Sequence, residues 1–285
     1  MSGEHRLVPL LDGLRFAESP RWRGDRLWFS DIFANRVMTV DEAGHTEIVV
    51  ELTDGGRPSG LGFLPDGRLL IANLTEPTLL RLEPSGELVV HSDLTHLAVG
   101  GLNDMVVDDL GRAYVGSMGT HNNSEPRPLD GDGVIILVEP DGAARLVADQ
   151  LDAPNGPALI AGGTTYVVAE FPANRLTAYD RSADGLLSSR RVWADLAPES
   201  ADGIWADSEG AIWTASPWTR ECRRVTEGGK VTDAIDVGEK MPLACALGGA
   251  DGRTLFVLSL IGDTQAVLDR TCASVIETVR VHVPV

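Results

Sequence analysis

The chain is short of cysteine, of basic residues and of long apolar runs, and each shortage excludes a class of function. Its three cysteines, Cys222, Cys245 and Cys272, are odd in number and far apart. They fit neither a disulfide framework nor a CxxC zinc or redox pattern, and are expected to be free thiols filling the core in a reducing compartment. Against 42 Asp and Glu there are only 24 Lys and Arg, giving a formal charge of −18. Because the basic residues are dispersed rather than clustered, this field repels a phosphate backbone, and nucleic acid is not an expected partner. Apolar stretches such as 133–138 and 254–260 fall far below the ~20 residues of a membrane helix. No membrane span is therefore expected. The opening residues, Met-Ser-Gly-Glu-His-Arg, mix acid and base before only a short apolar stretch, unlike a secretory signal, so a cytoplasmic location is the expectation.

Familiar catalytic signatures are missing too. There is no G-x-S-x-G elbow, since Ser59 sits in GRPSG with the wrong glycine spacing, and no HExxH or Walker A motif. The Asp-Gly-Asp-Gly stretch at 130–133 is too short for an EF-hand, whose loop distributes ligands over ~12 residues. No dozen-residue segment keeps apolar positions at i, i+3, i+4 and i+7, which predicts little helix.

What is present is a repeat. Segments beginning at Glu18 (ESPRWRGDRLWFSD), Ser59 (SGLGFLPDGRLLIAN), Leu102 (LNDMVVDDLGRAYVGS), Pro154 (PNGPALIAGGTTYVVAE), Ala201 (ADGIWADSEGAIWTAS) and Ala244 (ACALGGADGRTLFVLS) follow one grammar. A polar or small residue leads into a short apolar strand, a glycine-containing turn follows, and a strongly apolar strand ends the unit. The spacing of about 45 residues matches a four-stranded propeller blade. Between these units lie further strand pairs such as RVMTVDEAGHTEIVVE and VIILVEPDGAARLVAD. The expectation is an all-β, six-bladed β-propeller of four-stranded antiparallel blades, filling residues 1–285 as one domain. The sixth unit has one clear outer strand, SVIETVRVHV, and its partner is expected in HRLVPLL near the N-terminus. Pairing of those segments would close the ring and remove an exposed edge.

Innermost strands line the central channel, so the same position of each unit converges there. Blade by blade that position holds Glu18, Ser59, Asn103, Asn155, Asp202 and Ala244 or Cys245. Taken singly, Asn155-Gly156 and Asp202-Gly203 are ordinary turn dipeptides, and Glu18 is an ordinary loop acid. Their coincidence in one register changes the reading. Carboxylate and carboxamide oxygens crowded at a channel need a partner, and a hard divalent cation supplies one. The predicted cofactor is a single divalent cation, Ca²⁺ first, with Zn²⁺, Mg²⁺ and Mn²⁺ as alternatives.

At these residues the sequence resembles the SMP-30/gluconolactonase/luciferin-regenerating enzyme family, which includes regucalcin-like proteins. The resemblance is carried by ESPRW with LWFSDI at 18–32, SGLGFLPDGRLLIAN at 59–73, NDMVVDDLGRAYVGSMG at 103–119, PNGPAL at 154–159, NRLTAYD at 174–180, DGIWADSEGAIWTAS at 202–216 and CALGGADGRTLFVLS at 245–259. It implies a metal-dependent lactonase in which Glu18, Asn155 and Asp202 hold the ion. Asp202 would also be the general base, and Asn103 would contact water or substrate. Asp104 and His121 are further substrate-binding candidates. The loop 119–133, with Asn122 and Arg127, and Trp218 with Arg220 are possible pocket residues of lesser weight. Sugar-acid lactonases of the family often carry an arginine two residues before the third-blade asparagine. Here that position is Gly101, which puts aldonolactone specificity in question. The expected partner is a small-molecule lactone or ester, acted on by a monomer or weak homo-oligomer. A metal-dependent esterase or phosphotriesterase, a biosynthetic cyclisation enzyme and a non-catalytic ligand-binding propeller remain the alternatives.

Overall fold

A computed structural model describes residues 5–53, 55–120 and 131–285. Six four-stranded antiparallel sheets stand around an axis. Blade 1 runs Ala17–Arg23, Arg26–Asp31, Arg36–Asp41 and Thr46–Glu51, from the axis outward. Blade 2 is Pro58–Phe63, Leu69–Asn73, Thr78–Leu82 and Leu88–Asp93, and blade 3 is Leu102–Val107, Ala113–Ser117, Gly133–Val138 and Ala144–Leu151. Blade 4 comprises Pro154–Ile160, Thr165–Glu170, Arg175–Arg181 and Leu187–Asp195, and blade 5 comprises Ile204–Ala206, Ile212–Ser216, Glu221–Thr226 and Lys230–Asp236. Blade 6 takes Met241–Gly248, Thr254–Ile261 and Ala273–Arg280, and its outermost strand is Val8–Leu14 from the other end of the chain. That strand pairs antiparallel with Ala273–Arg280, Val8 opposite Thr278 and Leu14 opposite Ser274. Each innermost strand packs on the next, and Met241–Gly248 meets Ala17–Arg23 to complete the circle. Among the described residues the one α-helix is Thr264–Leu268.

The turns follow from the glycines. Gly67, at φ 94°, donates its N–H to the Leu64 carbonyl at 2.9 Å, and Gly210, at φ 78°, does the same to Asp207. A side chain bearing Cβ would be strained at such angles, which is why the Asp-Gly and Ser-Glu-Gly signals recur between first and second strands.

Burial explains why the second strands read as unbroken apolar runs rather than alternating ones. Both faces of a blade are covered, each by the neighbouring blade. Leu70, Ala72 and Leu79 of blade 2 meet Leu102, Met105 and Ile136 of blade 3. Tyr114 and Leu137 meet Tyr166 and Val168 across the next interface. Phe29 and Met38 of blade 1 close on Phe256 and Leu258 of blade 6. Each fully buried Leu or Phe side chain here contributes about 1.5–3 kcal/mol. Cys222 and Cys245 lie between blades 5 and 6, and all three thiols are free and buried.

Candidate active site

The first strands run from one mouth of the channel toward the other, and near the start of all but that of blade 5 the pairing with the second strand slips. Register shifts fall between Glu18 and Arg21, Pro58 and Leu61, Leu102 and Met105, Pro154 and Pro157, and Pro242 and Ala244. A bulge re-aims the side chain that it displaces. Here the displaced residues include Asn103 and Asn155 of the repeat register, while Glu18 pairs with Ser30 at the edge of its bulge. In blade 1 the bulge is made by Ser19, which takes a positive φ of 52° and donates its N–H back to Glu18 Oε2 at 2.8 Å.

Hydrogen bonds stitch this level of the ring from blade to blade. Ser30 Oγ donates to the Ser59 carbonyl at 2.7 Å, and Ser59 Oγ to the carbonyls of Leu102 and Asn103 at 3.0 and 3.2 Å. Asn103 Nδ2 donates to the Pro154 carbonyl at 3.2 Å, leaving one amide proton and Oδ1 uncommitted by that bond. The Gly156 N–H then reaches the Asp202 carbonyl, and the Gly203 N–H the Leu243 carbonyl at 2.7 Å. Only glycine permits the last two contacts. A Cβ at residue 156 would lie 2.5 Å from the Ile204 nitrogen, and one at residue 203 would lie 2.7 Å from the Ala244 Cβ. Gly156→Ala is therefore expected to cost about 1–3 kcal/mol by overpacking, measured as a lower midpoint in urea. An unchanged midpoint would show that the strands can separate without penalty.

Glu18, Asn155 and Asp202 are brought together at this mouth, each half-buried. Burial raises the Glu18 carboxyl well above its ordinary range, and the neighbouring Asp202 pushes it further. Asp202 is pushed up to about 8, first by burial and then by Asp104, while the Asn155 side chain pulls it back. Asp104 itself is buried. Its Oδ1 accepts from Arg21 Nη2 at 2.6 Å and from the Met105 N–H at 2.8 Å, so it anchors Arg21 beneath the other two carboxylates. The Arg21 guanidinium lies 6.0 Å from the Trp205 ring centroid. Cys245 lies close to Glu18 and Cys222, and its thiol is held protonated by the contact with Cys222 and by burial.

Other sequence-derived candidates are not part of this cluster. His121, Asn122 and Arg127 fall outside the described residues. Trp218 stands exposed on the rim with its ring centroid 5.8 Å from that of Phe171, and the Arg220 guanidinium is paired with Glu239. Arg21 was not anticipated, and neither was the role of the Ser59 hydroxyl. Ser59 was legible as a register position, but its hydroxyl joins blades, and Arg21 gave no local sign of reaching across to blade 3. A cavity of about 820 Å³ lies at the opposite mouth, lined by Arg21, Arg23, Phe63, Trp205 and Val285 among others. It is separate from the carboxylate cluster, which stands at the strand starts.

Chemically, two crowded carboxylates beside a carboxamide form an oxygen donor set suited to a hard divalent cation. Among the described residues no three acidic, histidine or cysteine side chains form a ligand group. An ion here would be held by two carboxylates and one amide oxygen, with the rest of its shell open. That open shell suits catalysis more than a closed structural cage.

The family model described as the SMP-30/Gluconolactonase/LRE-like region matches residues 16–261. The chain is 25% identical over 276 residues to 6-deoxy-6-sulfogluconolactonase of Pseudomonas putida, covering 94% of this chain and 91% of that one. It is 27% identical over 265 residues to a pentonolactonase of Haloferax volcanii, covering 87% and 83%. The crystal structure of a calcium-binding protein, regucalcin, from Agrobacterium tumefaciens superposes with a TM-score of 0.76 at 22% identity, over all of this chain and 97% of that one.

Proposed function

The chain belongs to the SMP-30/gluconolactonase/LRE-like family, and on that premise we propose that it is a divalent-metal-dependent lactonase working at the Glu18 mouth of the channel. The observation that carries the proposal is the meeting of Glu18, Asp202 and Asn155, where burial disfavours both carboxylates and Asp202 further raises Glu18 while the Arg21 guanidinium is committed to Asp104. The names of the two lactonase relatives support the reaction class, and the calcium-binding neighbour supports the ion.

Glu18, Asn155 and Asp202 would hold the cation, Ca²⁺ being the first choice of this oxygen set. When bound, a divalent cation supplies Lewis acid polarisation of a carbonyl and lowers the pKa of water beside it. The chain's own residues do the rest. Asp202 takes a proton from water as its oxygen attacks the lactone carbonyl carbon, forming the tetrahedral adduct. The remaining amide proton of Asn103 would donate to the oxygen that gains charge, a contact worth about 3 kcal/mol when well placed. Collapse of the adduct breaks the ring C–O bond, and Asp202 returns its proton to the departing oxygen, giving an open-chain hydroxy acid. The Arg21–Asp104 pair stays below and fixes the floor of the site.

A panel of five- and six-membered lactones, assayed with chelator and after readdition of single divalent ions, tests this. Hydrolysis that disappears with chelator and returns with one ion is expected. Chelator-resistant hydrolysis, or turnover of aryl esters and phosphotriesters but of no lactone, would refute it.

A further inference from the structure

The same mouth carries two arginines that the reaction above does not use. The Arg57 carbonyl accepts the Leu74 N–H at 2.8 Å, as the Phe16 carbonyl accepts from Ile32 at 2.9 Å and the Gly101 carbonyl from Met118 at 3.1 Å. Phe16, Arg57 and Gly101 are thus equivalent positions in three successive blades, each two residues outward of Glu18, Ser59 and Asn103. In blades 4 and 5 the residues at that spacing from Asn155 and Asp202 are Ala153 and Ser200. Arg57 is the charged member of this set. Gly101 has no room for a side chain, because a Cβ there would lie 2.5 Å from the Leu74 carbonyl oxygen.

Arg270 reaches the mouth from the loop that joins the second and third strands of blade 6. Its guanidinium lies 6.0 Å from the Phe33 ring centroid, and Phe33 packs on Phe16 with centroids 4.7 Å apart. Arg15 Nη2 holds the Arg270 carbonyl at 2.5 Å, fixing the loop. Among the described residues no carboxylate pairs with Arg57 or Arg270. Arg57 is half-buried, and its pKa is lowered by burial and then by the charge of Arg270. A half-buried guanidinium that feels a second, exposed one and has no counter-charge among the described residues is unfavourable unless an anion joins them. In a chain of net charge −18, an acidic partner for them would have been easy to provide.

We propose that Arg57 and Arg270 form a subsite for an anionic group, a carboxylate, sulfonate or phosphate, carried by the lactone substrate away from its reacting carbonyl. This rests on the lactonase reading, since it places the ring over Glu18 and Asp202 and its charged tail toward blades 2 and 6. The subsite would supply from blade 2 the cation that Gly101 cannot supply from blade 3.

The test compares kcat/KM of the metal-loaded enzyme on a neutral aldonolactone with that on the same ring bearing a terminal carboxylate or sulfonate. In Arg57→Gln and Arg270→Gln the anionic-to-neutral ratio is expected to fall about 10- to 100-fold, mostly through KM, with Arg57→Lys recovering part of it. Inorganic sulfate should compete with the anionic lactone in the wild type and lose that competition in Arg57→Gln. An unchanged ratio, or an equal fall on both lactones, would overturn the subsite while leaving the lactonase reading intact. If neither lactone is hydrolysed, the lactonase reading fails instead. Sulfate titration by calorimetry then decides the arginine pair alone, a heat absent from Arg57→Gln supporting it and no heat in the wild type removing it.

Discussion

Asp202→Asn is expected to lower lactone hydrolysis by about 10²- to 10⁴-fold and at the same time to stabilise the ion-free protein. Both effects have one origin. Asp202 is half-buried near Glu18, and desolvation together with the charge of Asp104 disfavours its ionised form. The amide keeps the shape but removes the charge and the basic oxygen, so water loses its proton acceptor and the cation one of its two carboxylates. With no cation, the wild type must crowd like charges without compensation, a cost of up to several kcal/mol per fully buried ion after relaxation. Removing one of them should raise the thermal midpoint measured in chelator by a few degrees, while the gain in midpoint on adding the ion shrinks. Glu18→Gln should behave alike, although its loss of activity should be partly recovered at high ion concentration because its role is to hold the ion. Retention of wild-type turnover by Asp202→Asn, with undiminished ion affinity, would remove Asp202 from the mechanism.

Much of this architecture was legible because a propeller repeats its grammar. The turn glycines at 67, 111, 142 and 210 and the apolar second strands gave the blade boundaries directly, and the spare strand before Leu14 found its place by elimination. The register that selects Glu18, Asn155 and Asp202 was legible for the same reason. The bulges near the starts of the first strands of all blades but the fifth were not, since a bulge is one residue out of phase and local periodicity hides it. Equally hidden were contacts made across blades. Asp104 looked like a wall residue beside Asn103, yet its carboxylate is taken up by Arg21, 83 residues earlier. Asp31 and Glu170, the last residues of their repeat segments, are buried anchors for Arg36 and for Arg175 with Arg190. Such partners depend on which strands the ring makes neighbours, and composition carries no trace of it.

Glu170 carries the largest expected structural effect. Its side chain is fully buried at the end of the second strand of blade 4, where Oε2 accepts the Asp152 N–H at 2.8 Å. Arg175 donates Nε to Oε1 at 2.9 Å and Nη2 to Oε2 at 2.8 Å, Arg190 reaches both oxygens, and the Thr177 hydroxyl bonds to Oε1. Burial alone would raise this carboxyl, but Arg175, Thr177 and the Asp152 N–H outweigh it and hold the pKa below its ordinary value. Glu170→Ala leaves a buried N–H, a hydroxyl and two guanidiniums without their acceptor, and should cost about 3–5 kcal/mol, a fall of roughly 6–10 °C or more in Tm for a chain of this size. The sign of the pH dependence follows from the depressed pKa. The stabilisation is fully present above the unfolded-state value near 4.5 and is lost as pH falls through the lower folded value. Urea midpoints taken from pH 7 downward should therefore fall more steeply below that value in the wild type than in Glu170→Gln. The two profiles should converge in acid, and parallel profiles would mean that the clamp around Glu170 does not hold blade 4 in place. Because the same loop leads through Asp152 and Ala153 into Asn155, a clamp that fails should also weaken ion binding at the mouth, which links the stability of one blade to the chemistry on the axis.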